Sequence, residues 1–320
     1  MTHRSASICV ASKATLAEKS NWHVIERDPT WIQSGLSCLP RHALRANGIN
    51  SMCYAHARLQ PEFQCSSRAK VGEEMARRFL NGDGWRARLG IVVPSVNTVM
   101  EPWASRVVPE GVSVHFSRMF MPPATTAETL IEMDRTDGQS ALRQLSSVHP
   151  DVIAYGCTAS SIVQGVNYDA HLRGDIEQTY ATAATTAAHA ITTAAEAFGG
   201  RRISVVSPYP DDVDAAEHRY FYEAGFEVLG GANLGIADGF ELAEPEPGTL
   251  YELGLKGCHD DADVLVVSCL NTRSHTVISA LEQTLNKPVV TSTQATLWHA
   301  LRLAGIKDNL DGLGRLFAEH

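Results

Sequence analysis

The chain repeats itself, and that repeat limits its fold more than any other feature. Short apolar runs recur through it: LGIVVP (89–94), VSVHF (112–116), DVIAYG (151–156), ISVVSP (203–208), FEVLG (226–230), DVLVVS (263–268) and PVVTS (288–292). Helical stretches lie between them, such as Thr186–Phe198, closed by Gly199-Gly200, and Gln294–Ala304, closed by Gly305. The order also recurs. RLGIVVPSVNTVMEP matches RISVVSPYPDDVDAAE, PDVIAYGCTASS matches ADVLVVSCLNTRS, and YATAATTAAHAITTAAEAFG matches KPVVTSTQATLWHALRLAG. Three landmark pairs sit at similar offsets: Pro94 to Pro208 is 114 residues, Cys157 to Cys269 is 112, and Gly199 to Gly305 is 106.

Apolar strands alternating with helices predict parallel sheets covered on both faces. The expected fold is therefore α/β, with two pseudo-symmetric Rossmann-like halves. Each half carries a parallel four-stranded sheet flanked by helices, and the active site lies in the cleft between them. The halves are expected over 87–200 and 201–316.

Residues 1–86 stand apart. Strand alternation is absent, and only Val71–Leu80 reads as a short helical stretch. Residues 1–88 hold 13 Lys/Arg against 7 Asp/Glu, whereas 89–320 hold 14 against 29, giving +6 and −15 for the total of −9. The segment is read as a poorly ordered extension outside the functional fold, with Met75 a natural alternative start. A basic targeting segment is the other reading.

Each of Cys157 and Cys269 follows an apolar strand and precedes a predicted helix. In open α/β sheets, ligands bind at the carboxyl ends of the strands. The N–H groups and positive end of a following helix favour a thiolate there and lower the thiol pKa. Two related halves would set one thiol on each wall of a shared cleft. That suits chemistry needing two groups on opposite faces of one carbon centre. The competing reading is two buried core cysteines, which the matched positions and the hydroxylated residues after each weaken.

Neighbouring residues supply candidate partners. In Pro94-Ser95-Val96-Asn97, Asn97 either donates to a carboxylate or caps the next helix. Tyr209, in the matching Pro208-Tyr209-Pro210 loop, either donates its hydroxyl to an anionic intermediate or packs as an ordinary ring. Thr158 and Ser160 can cap or donate, as can Asn271, Thr272 and Ser274. Thr185-Thr186 and Thr291-Ser292 form a third matched pair at the same edge. The substrate-binding set read here is Ser95, Asn97, Thr158, Tyr209, Leu270, Asn271 and Ser292.

Other features argue against whole classes. The net charge of −9 gives no support for a nucleic-acid partner. No apolar run approaches the ~20 residues that span a bilayer, and no secretory h-region is present, so the cytoplasm is expected. Seven cysteines without C-x-x-C spacing argue against a disulfide framework or structural zinc. No G-x-G-x-x-G frame supports a dinucleotide, and no cofactor or metal is expected. The histidines at 171, 189, 218, 259 and 275 form no ligand spacing, and the acidic run 241–246 reads as a solvated loop.

The frame GIVVPSVNTVMEP, YGCTASS, SPYPDDV, VVSCLNTRS and KPVVTSTQATLWHALR resembles the aspartate/glutamate racemase superfamily. It is most similar to the branch of maleate cis-trans isomerase, arylmalonate decarboxylase and the ectoine-utilisation isomerase-like proteins. The resemblance covers about residues 86–316 and implies a cofactor-independent two-cysteine isomerase or racemase for a small mono- or dicarboxylate. It implies a nucleophilic role for Cys157, an acid/base role for Cys269, and substrate contacts for Asn97 and Tyr209. It also implies a homo-oligomer, dimer or tetramer. Decarboxylases of the branch keep only the second cysteine, and a decarboxylase is the nearest alternative. A non-catalytic carboxylate-binding protein is the alternative from another class. Two departures bear on the substrate. Cys157-Thr158-Ala159-Ser160-Ser161 replaces the usual C-T-S-G-S, and Gly239 stands where maleate isomerases tend to place an asparagine.

Overall fold

The computed structural model describes residues 82–320, which fall within one compact unit. The readings made for residues 1–81, including the helical stretch at Val71–Leu80, lie outside the described residues.

The first half opens with β1 (Ala87–Pro94), buried except at Arg88, then α1 (Met100–Val107) and β2 (Val112–Met119). α2 (Ala127–Met133) runs into a single π-helical turn, Asp134–Gly138, and then α3 (Gln139–Ser146). β3 (Val152–Tyr155), α4 (Thr158–Gln164), α5 (Val166–Tyr180), β4 (Ala183–Thr186) and α6 (Ala187–Ala197) complete it. The second half holds β5 (Arg202–Ser207), α7 (Asp211–Glu223), β6 (Glu227–Asn233), α8 (Pro247–Gly257) and β7 (Val264–Val267). A 3-10 turn, Arg273–Thr276, leads to α9 (Ile278–Leu285), β8 (Val289–Thr291), α10 (Ser292–Leu303) and α11 (Arg315–Glu319).

Each half builds a four-stranded, wholly parallel sheet. The orders are β2-β1-β3-β4 and β6-β5-β7-β8, the same permutation twice. β3 and β7 are buried at every position, as central strands covered on both faces must be. β4 is the strand that apolar patterning does not reveal. Its sequence, AATT, is short and small, and it is paired to β3 from Val152↔Ala183 to Tyr155↔Thr186.

α6 and α10 join the halves through one core that also takes in strands of both sheets. α6 presents Ala187, Ala190, Ile191 and Ala194, and α10 is buried from Ser292 to Leu301. The hydroxyls of Thr186 and Thr291 cap these two helices, accepting from His189 N–H at 3.0 Å and Gln294 N–H at 3.1 Å. The matched Thr pair is therefore a pair of helix caps. Gly199 and Gly305 sit at φ +68° and +75°, where a glycine past a helix end avoids left-handed strain.

Candidate active site

In each sheet the order reverses direction between two adjacent central strands: β1 and β3 in the first, β5 and β7 in the second. Ligand crevices form outside the carboxyl ends at such a switch point. The loops leaving these four strands carry Asn97, Cys157, Tyr209 and Cys269, and all four line one pocket. Thr158, Leu270 and Asn271 line it too. Two other expected residues do not. Ser95 supports the wall from behind, its Oγ accepting from Met121 N–H at 3.0 Å, and Ser292 is buried in the first turn of α10.

Cys157 leaves β3 through Gly156 and occupies the N-cap position of α4, with φ −129°. A Cβ on Gly156 would lie 2.6 Å from the Val92 carbonyl and 2.8 Å from Leu270 Cδ2. Only glycine lets the strand end come this close to β1 and to the other half. Cys269 is held differently. It has φ +83°, a left-handed conformation that costs a side chain about 1–3 kcal/mol. The α-helix expected directly after it is absent. The chain turns through Leu270–Thr272 into the four-residue 3-10 segment, and α9 starts only at Ile278.

Both thiols are buried, and burial overrides the thiolate-favouring effect read from the sequence. It pushes the Cys157 thiol up to about 12, with the nearby Asp134 carboxylate adding to the rise. Hydrogen bonds from Ser160 oppose this. Burial likewise raises Cys269, with the Thr272 and Tyr209 hydroxyls and the Asn271 N–H opposing the rise. Asp134 is fixed by the π-helical turn and accepts from Tyr155 (2.7 Å), Gln164 (2.9 Å) and Tyr168 (3.0 Å). Glu217, on α7 behind Cys269, is fully buried. Burial raises its carboxyl to about 8, with the Ser268 hydroxyl opposing.

Of the two roles left open for Asn97, the structure shows the cap at the start of α1. Its Oδ1 accepts from Val99 N–H (3.1 Å) and Met100 N–H (2.9 Å), which fixes the amide and leaves Nδ2 buried without a partner. The hydroxyls of Thr125 and Thr158 are also buried, unpartnered and pocket-lining. Buried donors of this kind normally find an acceptor, and here a ligand can supply it. Met121, Leu130 and Leu242 form the apolar wall.

Thr125 had no signal in the sequence. It reaches the pocket because the segment after β2 joins the segment after β6. Thr125 N–H donates to Ala237 O at 2.7 Å, and Gly239 N–H to Pro123 O at 2.9 Å. This clasp roofs the pocket with residues from both halves. The cavity is about 30 Å³, room for roughly two waters. His275 stands apart from the thiols and packs against Trp103, ring centroids 5.2 Å apart. Among the described residues, no cluster of His, Cys, Asp or Glu is arranged to hold a metal ion. No helix there is long and apolar enough to cross a membrane.

Two parallel α/β halves with a thiol on each wall of their shared pocket define a class, and comparison with known proteins gives the family. The sequence profile of the family described as arylmalonate decarboxylase matches residues 89–317, and the chain belongs to that family. Maleate isomerase of Pseudomonas putida is 29% identical over 244 residues, covering 72% of this chain and 97% of that protein. Arylmalonate decarboxylase of Bordetella bronchiseptica is 29% identical over 180 residues, covering 55% of this chain and 75% of that protein. The crystal structure of the maleate isomerase Iso from Pseudomonas putida S16 is similar at a TM-score of 0.67 and 30% identity, covering 73% of this chain and 98% of that one.

Proposed function

We propose that the chain is a cysteine-dependent, cofactor-independent isomerase of a small carboxylate, with a maleate-like unsaturated acid as the leading substrate. One observation carries the reading: Cys157 and Cys269 line a single buried pocket beside three buried donors that lack partners. The isomerases among its relatives agree with it.

Because burial keeps both thiols protonated at rest, the nucleophile forms inside the site. The Cys157 sulfur bonds to one alkene carbon, and the alkene pair moves to the neighbouring carbon and its carboxylate. Asn97 Nδ2 and the hydroxyls of Thr125 and Thr158 stabilise that charge. Cys269 gives its proton to the neighbouring carbon and takes the proton leaving Cys157. Rotation about the new single bond follows. The reverse transfers then expel the Cys157 sulfur and restore both thiols, leaving the trans isomer. Tyr209 keeps the Cys269 sulfur in place. With a saturated substrate the same pair would act as a racemase, one sulfur removing an α-proton and the other thiol delivering one.

A decarboxylase that uses Cys269 alone is the second reading, favoured by the apolar wall and by the decarboxylase among the relatives. The test is turnover and deuterium incorporation from deuterated water with maleate, amino-acid enantiomers and arylmalonates. Isomerase chemistry is lost in both Cys157→Ala and Cys269→Ala, whereas a decarboxylase survives Cys157→Ala. A ligand-dependent melting shift without turnover would instead mark a binding protein. The reading extends to a cytoplasmic homo-oligomer, dimer or tetramer, built from halves 87–200 and 201–316. Light scattering checks the assembly.

A further inference from the structure

A second cavity, of about 250 Å³, opens beside the substrate pocket and differs from it in chemistry. It is lined by Arg106 from the last turn of α1, by Arg273 and His275 from the 3-10 turn, and by Thr98. Arg106 makes no ion pair or hydrogen bond among the described residues. Arg273 donates through Nη2 to the carbonyls of Glu244 (2.9 Å) and Pro245 (3.3 Å), which anchors the guanidinium. Its Nε is buried without a partner, and so is Nδ1 of His275.

Two cations and a neutral imidazole thus meet in one cleft of a protein with net charge −9. Glu244 is the one carboxylate in the lining, and it forms no ion pair with either arginine. The cationic field already acts on His275. Burial is the main cause that lowers its pKa to about 4, and Arg106 and Arg273 lower it further. Guanidinium groups with free donors match the paired oxygens of phosphate and carboxylate. We propose that this cleft is a second binding site, for a small oxyanion held by Arg106, Arg273 and His275. It lies outside the thiol pocket and is independent of the reaction assigned to the thiols.

The titration of His275 reads the site directly. A bound anion offsets the two arginines, so it raises the His275 pKa and favours the imidazolium that would donate to it. NMR titration of His275 in the full chain, with inorganic phosphate at constant ionic strength set by chloride, should show a saturable upward shift. Arg106→Gln, an exposed helical position, should weaken phosphate binding at least ~5-fold, by analogy with other charge-assisted contacts. Arg135→Gln, which removes a distant surface pair with Glu132, should leave it unchanged. A parallel titration with succinate distinguishes phosphate from carboxylate as the source of the oxyanion, and a saturable response to either supports the site. A His275 titration unmoved by both anions overturns the proposal, as does an unchanged phosphate affinity in Arg106→Gln.

Discussion

Asn97 and Asn271 share one wall of the thiol pocket and use their amides in opposite ways. Asn271 is fully occupied: its Oδ1 accepts from Thr98 N–H at 2.9 Å, and its Nδ2 donates to the carbonyls of Gly239 (3.1 Å) and Val96 (3.4 Å). Asn97 commits only its oxygen, to the start of α1, and keeps Nδ2 free. Asn271 therefore fastens the two halves together, while Asn97 keeps a donor free at the pocket wall.

Asn97→Ala and Asn271→Ala should separate those functions. Asn97→Ala should lower kcat/KM about 100-fold, the scale of one oxyanion-type donor, with a stability loss of about 1 kcal/mol from the helix cap. Asn271→Ala should cost about 1–3 kcal/mol of stability by leaving buried groups unpaired. Steady-state kinetics beside denaturant melts compare the two, and equal kinetic losses would remove the distinction.

Cys269, the proposed acid/base, sits on a strained backbone at φ +83°. Glycine adopts that conformation freely. Cys269→Gly should therefore be inactive yet about 1 kcal/mol more stable than Cys269→Ala, which loses the same thiol but keeps the strained backbone. Urea titration of the pair reads the difference.

Glu217 gives the protein a distinctive pH dependence. Its carboxyl is raised by burial to about 8, so between the unfolded value near 4.5 and about 8 the folded state holds the proton more tightly. That contribution is complete below about pH 4.5 and is lost progressively as the pH rises to about 8. Glu217→Gln carries no such charge. Its stability should gain on wild type as the pH rises from 5 to 8, by a few kcal/mol at most, and then level off. A gap that stays constant with pH would mean the carboxyl titrates normally.

Gly239→Asn probes substrate choice. A Cβ there meets Met121 Cε at 3.0 Å and Val96 Cγ2 at 3.4 Å, so the new side chain must displace the flexible end of Met121. The variant replaces apolar wall with an amide. The ratio of kcat/KM for maleate over an apolar-substituted acid should rise about tenfold, the scale of one hydrogen bond. An unchanged ratio would place specificity elsewhere.

The architecture was legible because duplication and continuous apolar strands are properties of the linear chain. Val152–Tyr155 and Val264–Val267 show their burial in their composition, and the two thiols follow them directly. β4 escaped because AATT has neither bulk nor alternation, and only its ladder to β3 makes it a strand. Thr125 escaped because its position depends on the clasp to Ala237, 112 residues away in the other half.

By itself, then, the sequence determined that two similar α/β units place a cysteine at each matching strand end, since local apolar pattern and repeat spacing set which strands are central. Tertiary structure decided what the thiols experience. Burial between the halves raises both pKa values against the local effect of the helix start on Cys157. It also decided that Asn97 and not Asn271 offers a free donor, and that Ser292 lies outside the pocket. Desolvation and hydrogen-bond saturation depend on every neighbour in space, and those neighbours come from both halves of the chain.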